Sequence, residues 1–167
     1  MTGGPRAALA AFALGKGEGE ALWFGDGLAT IRASGDATGG LCAVIEFLAP
    51  KGHAPPLHLH RREDEWFYLL EGELLFWVDG RKIAAGPESF VFAPRNIPHT
   101  FTVTSPTARF ILVAQPAGFD RFVRSLAVPA TARTLPPATL EQPKPDRMMA
   151  AAAQHGIEIL GPPGIPA

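Results

Sequence analysis

Between Ala21 and Gln115 the chain never sustains a helical period. It runs instead as short apolar or alternating segments cut by turn residues: ALWF, LATIRA, LCAVIEFL, LHLH, EWFYLLE, ELLFWV, RKIAA, SFVFA, HTFTV and ARFILVA. Alternation sends successive side chains to opposite faces of a pleated strand, and many short strands separated by turns build an all-β sandwich or barrel. One connection is explicit. In WVDGRK the pair Asp79-Gly80 suits a tight hairpin, because both central residues of a type I′ turn take positive φ. PLHLHRREDEWFYLL implies a second connection, with charged Arg61 to Asp64 at a solvated tip.

The pattern changes after Gln115. Phe119, Phe122, Val123 and Leu126 fall at i, i+3, i+4 and i+7, a helical stripe expected to pack on the outside of the sheet. VPATARTLPPATLEQPKP is proline-rich and should run extended over the surface. PDRMMAAAAQHG has Pro145 at a helix start and Gly156 as its stop, with His155 in a capping position. The expected organisation is an N-terminal extension over 1–20, a β-domain over 21–115, and C-terminal helices with a proline-rich tail over 116–167.

With 167 residues there is room for one sizeable core. A formal charge of -1 with scattered Lys and Arg offers no footprint for nucleic acid or an anionic membrane. Cys42 is alone, which excludes an intrachain disulfide and reads as a small buried thiol. RAALAAFALG, Arg6 to Gly15, is the one candidate targeting segment. It is too short to span a bilayer and marginal as a signal core, so the expected compartment is the cytoplasm. Trp23 and Phe24 suggest an N-terminal strand that pairs with another subunit, and a homodimer is expected.

His58 and His60 in PLHLH are two residues apart on a strand and point the same way. Alone such a pair is weak evidence. Glu65, starting the strand across the turn, can bring a carboxylate to the same face, and His99 in PRNIPHTF supplies a third imidazole from a distant segment. Three imidazoles and a carboxylate suit one divalent transition ion: iron, nickel, manganese, cobalt or zinc. Glu63 and Asp64 are acidic competitors for the carboxylate role.

These residues resemble the cupin superfamily. GHAPPLHLHRREDEWFYLLEG fits the first cupin motif, G(X)5HXH(X)4E(X)6G, at Gly52, His58, His60, Glu65 and Gly72, and GPESFVFAPRNIPH looks like the second, with Gly86, Pro94 and His99 in register. Asn96 stands where the family usually has glycine; Asn tolerates a left-handed backbone, so the turn should survive. Gly86 lies two residues further from His99 than in the shortest form of the motif. The resemblance covers Leu41 to Ala114 and implies a double-stranded β-helix, the jelly-roll barrel, with one or two short C-terminal helices. It assigns His58, His60, Glu65 and His99 as ligands; the motif spacing selects Glu65 over its acidic neighbours.

Parity agrees, placing Glu65, Phe67 and Leu69 on one face and Trp66, Tyr68 and Leu70 on the other. His99 carries Phe101 and Val103 inward with it, so Phe67, Phe101 and Val103 are expected to line an apolar substrate pocket. Arg61, Arg62 and Arg95 fall in turns and leave no inward cation beside the metal. HRREDEWFYLLEGEL, AGPESFVFAPRNIPHTF and PAGFDRFVRSLA are similar to single-domain bacterial cupins of the quercetin 2,3-dioxygenase kind. That resemblance implies metal-dependent opening of a flavonol-like small molecule by dioxygen, with Glu65 as ligand and proton acceptor. The alternatives are a metal-dependent lyase or isomerase, and a non-catalytic small-molecule-binding cupin.

Overall fold

A computed structural model describes residues 9–167; of the candidate targeting segment, Arg6 to Ala8 lie outside the described residues. Strands β1 (Glu20–Phe24), β2 (Gly27–Ala33), β3 (Ala43–Pro50), β4 (Pro56–His60), β5 (Asp64–Glu71), β6 (Leu74–Val78), β7 (Arg81–Ala85), β8 (Phe90–Ala93), β9 (His99–Val103) and β10 (Thr107–Gln115) follow one another without a helix. Then come α1 (Phe119–Leu126), β11 (Val128–Pro129), α2 (Pro145–Gln154) and β12 (Ile157–Pro163). All strand pairs are antiparallel. They form one sheet in the order β11-β1-β2-β3-β10-β5-β8 and a second in the order β12-β4-β9-β6-β7.

The two sheets meet through their inward side chains, as expected of the double-stranded β-helix. Phe67 of β5 stands edge-on to Phe76 of β6 at 5.1 Å, and Phe101 of β9 to Phe110 of β10 at 5.4 Å, so each ring pair joins one sheet to the other. Edge-to-face geometry sets the positive ring edge against the negative face and adds to the area term. In β5 Glu65, Phe67 and Leu69 are buried, while Trp66 and Tyr68 are exposed beside Phe90 and Phe92 of β8. The parity is as read from the sequence, but among the described residues nothing covers that outer aromatic face.

The Asp79-Gly80 hairpin has φ of 49° and 80°, and joins β6 to β7 with Val78 opposite Arg81. Asn96 also takes positive φ, 64°, and keeps the turn into β9. Gly72, closing the β5–β6 turn, has φ of 81°, and a Cβ there would lie 2.8 Å from the Cα of Ala108 and press on the Thr107 carbonyl oxygen. That obstacle is backbone and cannot swing aside. Gly72→Ala is therefore expected to cost roughly 3 kcal/mol or more, the left-handed penalty plus the collision, read as a shift in the urea midpoint.

Several expectations are corrected. Strand β1 is paired on both sides within the chain, by β2 and β11, so its edges are not free for another subunit. Cys42 is half-buried rather than enclosed. Helix α1 buries Phe122, Val123 and Leu126: Val123 joins the main core of the sheets, while Phe122 and Leu126 pack with α2 and Ile157 in a second, smaller cluster. The tail contributes a full strand: β12 pairs along β4, with Ile157 opposite His60 and Ile159 opposite His58. The prolines of EILGPPG hide that strand, which sits at a sheet edge where missing N–H donors are tolerated. Among the described residues no helix is long and apolar enough to cross a membrane.

Candidate metal centre

Strand β4 delivers His58 and His60 to one face, and β9 begins with His99 directly opposite His58. Glu65 arrives from β5 in the facing sheet. One ligand atom from each of the four lies within 4.8 Å of all the others, and all four residues are buried. Asp64 turns away and pairs with Arg95 at 2.7 Å.

Each imidazole is held from behind. His58 Nδ1 lies 2.7 Å from the Pro56 carbonyl oxygen, His99 Nδ1 lies 3.0 Å from that of Ile97, and His60 Nδ1 lies 3.4 Å from Glu63 Oε2. An Nδ1–H given to these acceptors leaves the Nε2 lone pair for the centre, the arrangement by which metal-ligating histidines are oriented. At the centre His99 Nε2 is 3.0 Å from Glu65 Oε2. His60 Nε2 and Glu65 Oε1 are 3.4 Å apart, yet they are not aligned for a hydrogen bond and neither has another partner. Two buried, unpartnered polar atoms facing each other are costly unless something between them satisfies both. The donor set therefore suits a divalent ion.

Electrostatics point the same way. Burial, reinforced by the neighbouring His99 and His60, pulls His58 down to about 3, so it is neutral and ready to ligate. Burial raises the Glu65 carboxyl, but His60, the His99 hydrogen bond and the other imidazoles outweigh it and hold Glu65 down at about 2. For His60 burial lowers the pKa, and Glu65 and Glu63 overcome it and raise it.

Glu63 is the residue that sequence reasoning missed. The sequence offers it as part of the solvated tip with Arg61, Arg62 and Asp64 or as a rival ligand to Glu65, but only the two arginines are exposed; Glu63 is 3% exposed and backs His60. It is enclosed by the start of α1: a Cβ on Gly118 would lie 2.5 Å from Glu63 Oε1. Replacing the partner of a ligating histidine typically weakens metal binding about 10- to 100-fold. Glu63→Ala is expected to fall in that range and Glu63→Gln, which keeps a carbonyl acceptor, to recover most of the loss, measured by competition with a chromophoric chelator.

His58, Glu65 and His99 open onto a cavity of about 580 Å³. Its wall is mainly apolar and aromatic, including Phe67 and Phe101 from the sequence reading together with Phe24, Phe47, Phe110, Phe119 and Phe122. Val103 is not on that wall: it points inward as its parity requires but lies deeper, 1% exposed within the main core. Both helices and β12 contribute to the wall, through Phe119, Phe122, Met148, Ile157 and Ile159.

Residues 44–114 match the family described as Cupin domain. Quercetin 2,3-dioxygenase of Bacillus subtilis (strain 168) is 34% identical over 125 residues, which are 75% of this chain and 37% of that protein. The chain thus spans little more than a third of that relative. An RmlC-like cupin from Shewanella frigidimarina superposes with a TM-score of 0.57 at 19% identity, over 68% of this chain and 99% of that one. KdgF from Halomonas sp. gives 0.53 at 20% identity, over 57% and 84%. These two likenesses show the fold.

Proposed function

The chain belongs to the cupin family, and on that premise we propose that it is a metal-dependent dioxygenase acting on a flavonol-like phenolic or enolic small molecule. The observation that carries the proposal is the joining of the His58, His60, Glu65 and His99 cluster to an apolar, aromatic cavity large enough for a small molecule. In this reading the four residues hold one divalent ion: iron, nickel, manganese, cobalt or zinc. Such an ion supplies Lewis acidity to an enol oxygen and a route for electrons to dioxygen.

The chain's own residues do the rest. Phe67 and Phe101, with the other rings of the wall, bind a planar substrate by area and by ring stacking, and exclude water. Glu65 is ionised at neutral pH, and its carboxylate is the acceptor for the enol proton. Because His58, Glu65 and His99 all face the cavity, substrate can reach the centre, which favours catalysis over a sealed structural role.

A lyase or isomerase acting on a carboxylate would want a cation on the wall, and no Lys or Arg lines it among the described residues. Oxygen uptake with a panel of flavonols and enols, after loading with each metal in turn, tests the proposal. Consumption of oxygen in step with substrate supports it; no consumption with any metal rejects it, and turnover without oxygen favours the lyase reading. The homodimer also belongs among the proposals, and light scattering decides it.

A further inference from the structure

Apart from the metal cluster, the polar side chains on the cavity wall are Asp26, His53, Thr102 and Gln142. Three of these form one group. His53 Nδ1 is hydrogen-bonded to Asp26 Oδ1, and Gln142 Nε2 donates to the carbonyl of Gly25, the neighbour of Asp26, at 3.1 Å. Gln142 comes from the proline-rich segment and Asp26 from the β1–β2 turn, so the group ties two separate parts of the wall together. His53 is not among the four residues of the metal cluster.

What remains is an imidazole with one nitrogen committed and one free. His53 Nε2 makes no hydrogen bond among the described residues, although the side chain is only 16% exposed. The ring lies 5.9 Å from the ring of Phe101, which lines the same cavity. Phe101 is two residues beyond His99, about 7 Å along the strand, so the His53 ring is within about 13 Å of the cluster. A two- or three-ring aromatic compound covers such a span.

The bond to Asp26 decides which group fits. With its Nδ1–H given to the carboxylate, an imidazole that carries a single proton presents Nε2 as a lone-pair acceptor. The partner must then be a donor. A substrate carboxylate is disfavoured by Asp26 and finds no Lys or Arg on the wall; a phenolic hydroxyl satisfies the nitrogen and carries no charge.

We propose that His53, oriented by Asp26, is a specificity residue that accepts a hydrogen bond from a hydroxyl at the far end of a hydroxylated aromatic substrate whose enol end faces the metal cluster. This rests on the dioxygenase reading of the cavity and narrows it to substrates with a second, distal hydroxyl.

The test is binding of 3-hydroxyflavone, 3,4′-dihydroxyflavone and 3,7-dihydroxyflavone to the nickel-loaded protein without oxygen, followed by fluorescence. The wild type is expected to prefer one of the dihydroxy compounds over the parent by about three- to tenfold, the worth of one hydrogen bond. In His53→Phe that ratio should collapse towards one, and His53→Gln, which restores an acceptor, should recover part of it. Asp26→Ala, at an exposed position, should also reduce the ratio by freeing the ring. Melting of each variant with nickel checks its fold. If His53→Phe keeps the wild-type preference, or the wild type shows none while binding all three compounds, the role of His53 is overturned and the cavity reading stands. If the wild type binds no flavone, both fall.

Discussion

Removing the metal at pH 7 is expected to lower the melting temperature by about 8 to 16 °C, and His58→Leu to lose most of that gain without unfolding the metal-free protein. The first figure comes from mass action: an ion at a thousand times its dissociation constant stabilises the fold by about 4 kcal/mol, and for a chain of this size each kcal/mol shifts melting by about 2 to 4 °C. The choice of His58 matters. His60 and His99 face carboxylates, so truncating either leaves a buried charge without its partner. His58 is neutral, held down at about 3, and the one hydrogen bond of its ring is to the Pro56 carbonyl oxygen. Leu at this position removes a ligand and unpairs no charge. A lost ligand costs at least as much as a lost outer partner, about a hundredfold in affinity, so the same metal concentration would now stabilise by only about 1.4 kcal/mol, or about 3 to 6 °C. Differential scanning calorimetry with and without chelator measures both numbers. A wild-type melting temperature indifferent to chelator, or a full metal gain in His58→Leu, would contradict a four-residue metal site.

The parts of this site that were legible in the sequence are those fixed by local geometry. The two-residue period of a strand puts His58 and His60 together, Asp79-Gly80 marks its hairpin because both residues reach positive φ, and Asn96 can replace the motif glycine because it reaches φ of 64°. What stayed hidden depends on contacts far along the chain. Glu63 sits among Arg61, Arg62 and Asp64 and looks solvated; only the start of α1, folding back around Gly118, encloses it. Val103 shows the complementary error. Parity states which face a residue takes but not how deep the interior runs there, so Val103 shares the inward face of Phe101 and still lies in the packed core. The β12 strand could not be seen because its role arises from β4, whose free edge needs a partner and accepts a proline-containing one.

The affinity for metal is expected to fall about a hundredfold between pH 6.5 and 4.5, with close to one proton released for each ion bound. Two of the imidazoles are shifted in opposite directions. His58 is neutral at any pH above about 3 and has no proton to give up. His60 is the opposite case: Glu65 and Glu63 raise it above its ordinary 6.5, outweighing burial, so near neutrality the metal-free protein holds a proton that the ion must displace. One displaced proton costs a factor of ten in affinity per pH unit below that raised value, and the dependence steepens as pH approaches the range of His58, where a second proton must be displaced. The same signs govern the metal-free fold. The pairing of His60 stabilises it fully below 6.5 and is lost as pH rises through the raised value, whereas the depressed His58 weakens it as pH falls from 6.5 towards about 3. Metal therefore gains ground on the alkaline side for two reasons, because it competes with fewer protons and because it replaces an internal ion pair that is itself fading. Titration calorimetry in buffers of different ionisation enthalpy gives the proton count directly. No proton released per ion at pH 6 would place His60 neutral, contradicting its pairing with Glu63 and Glu65.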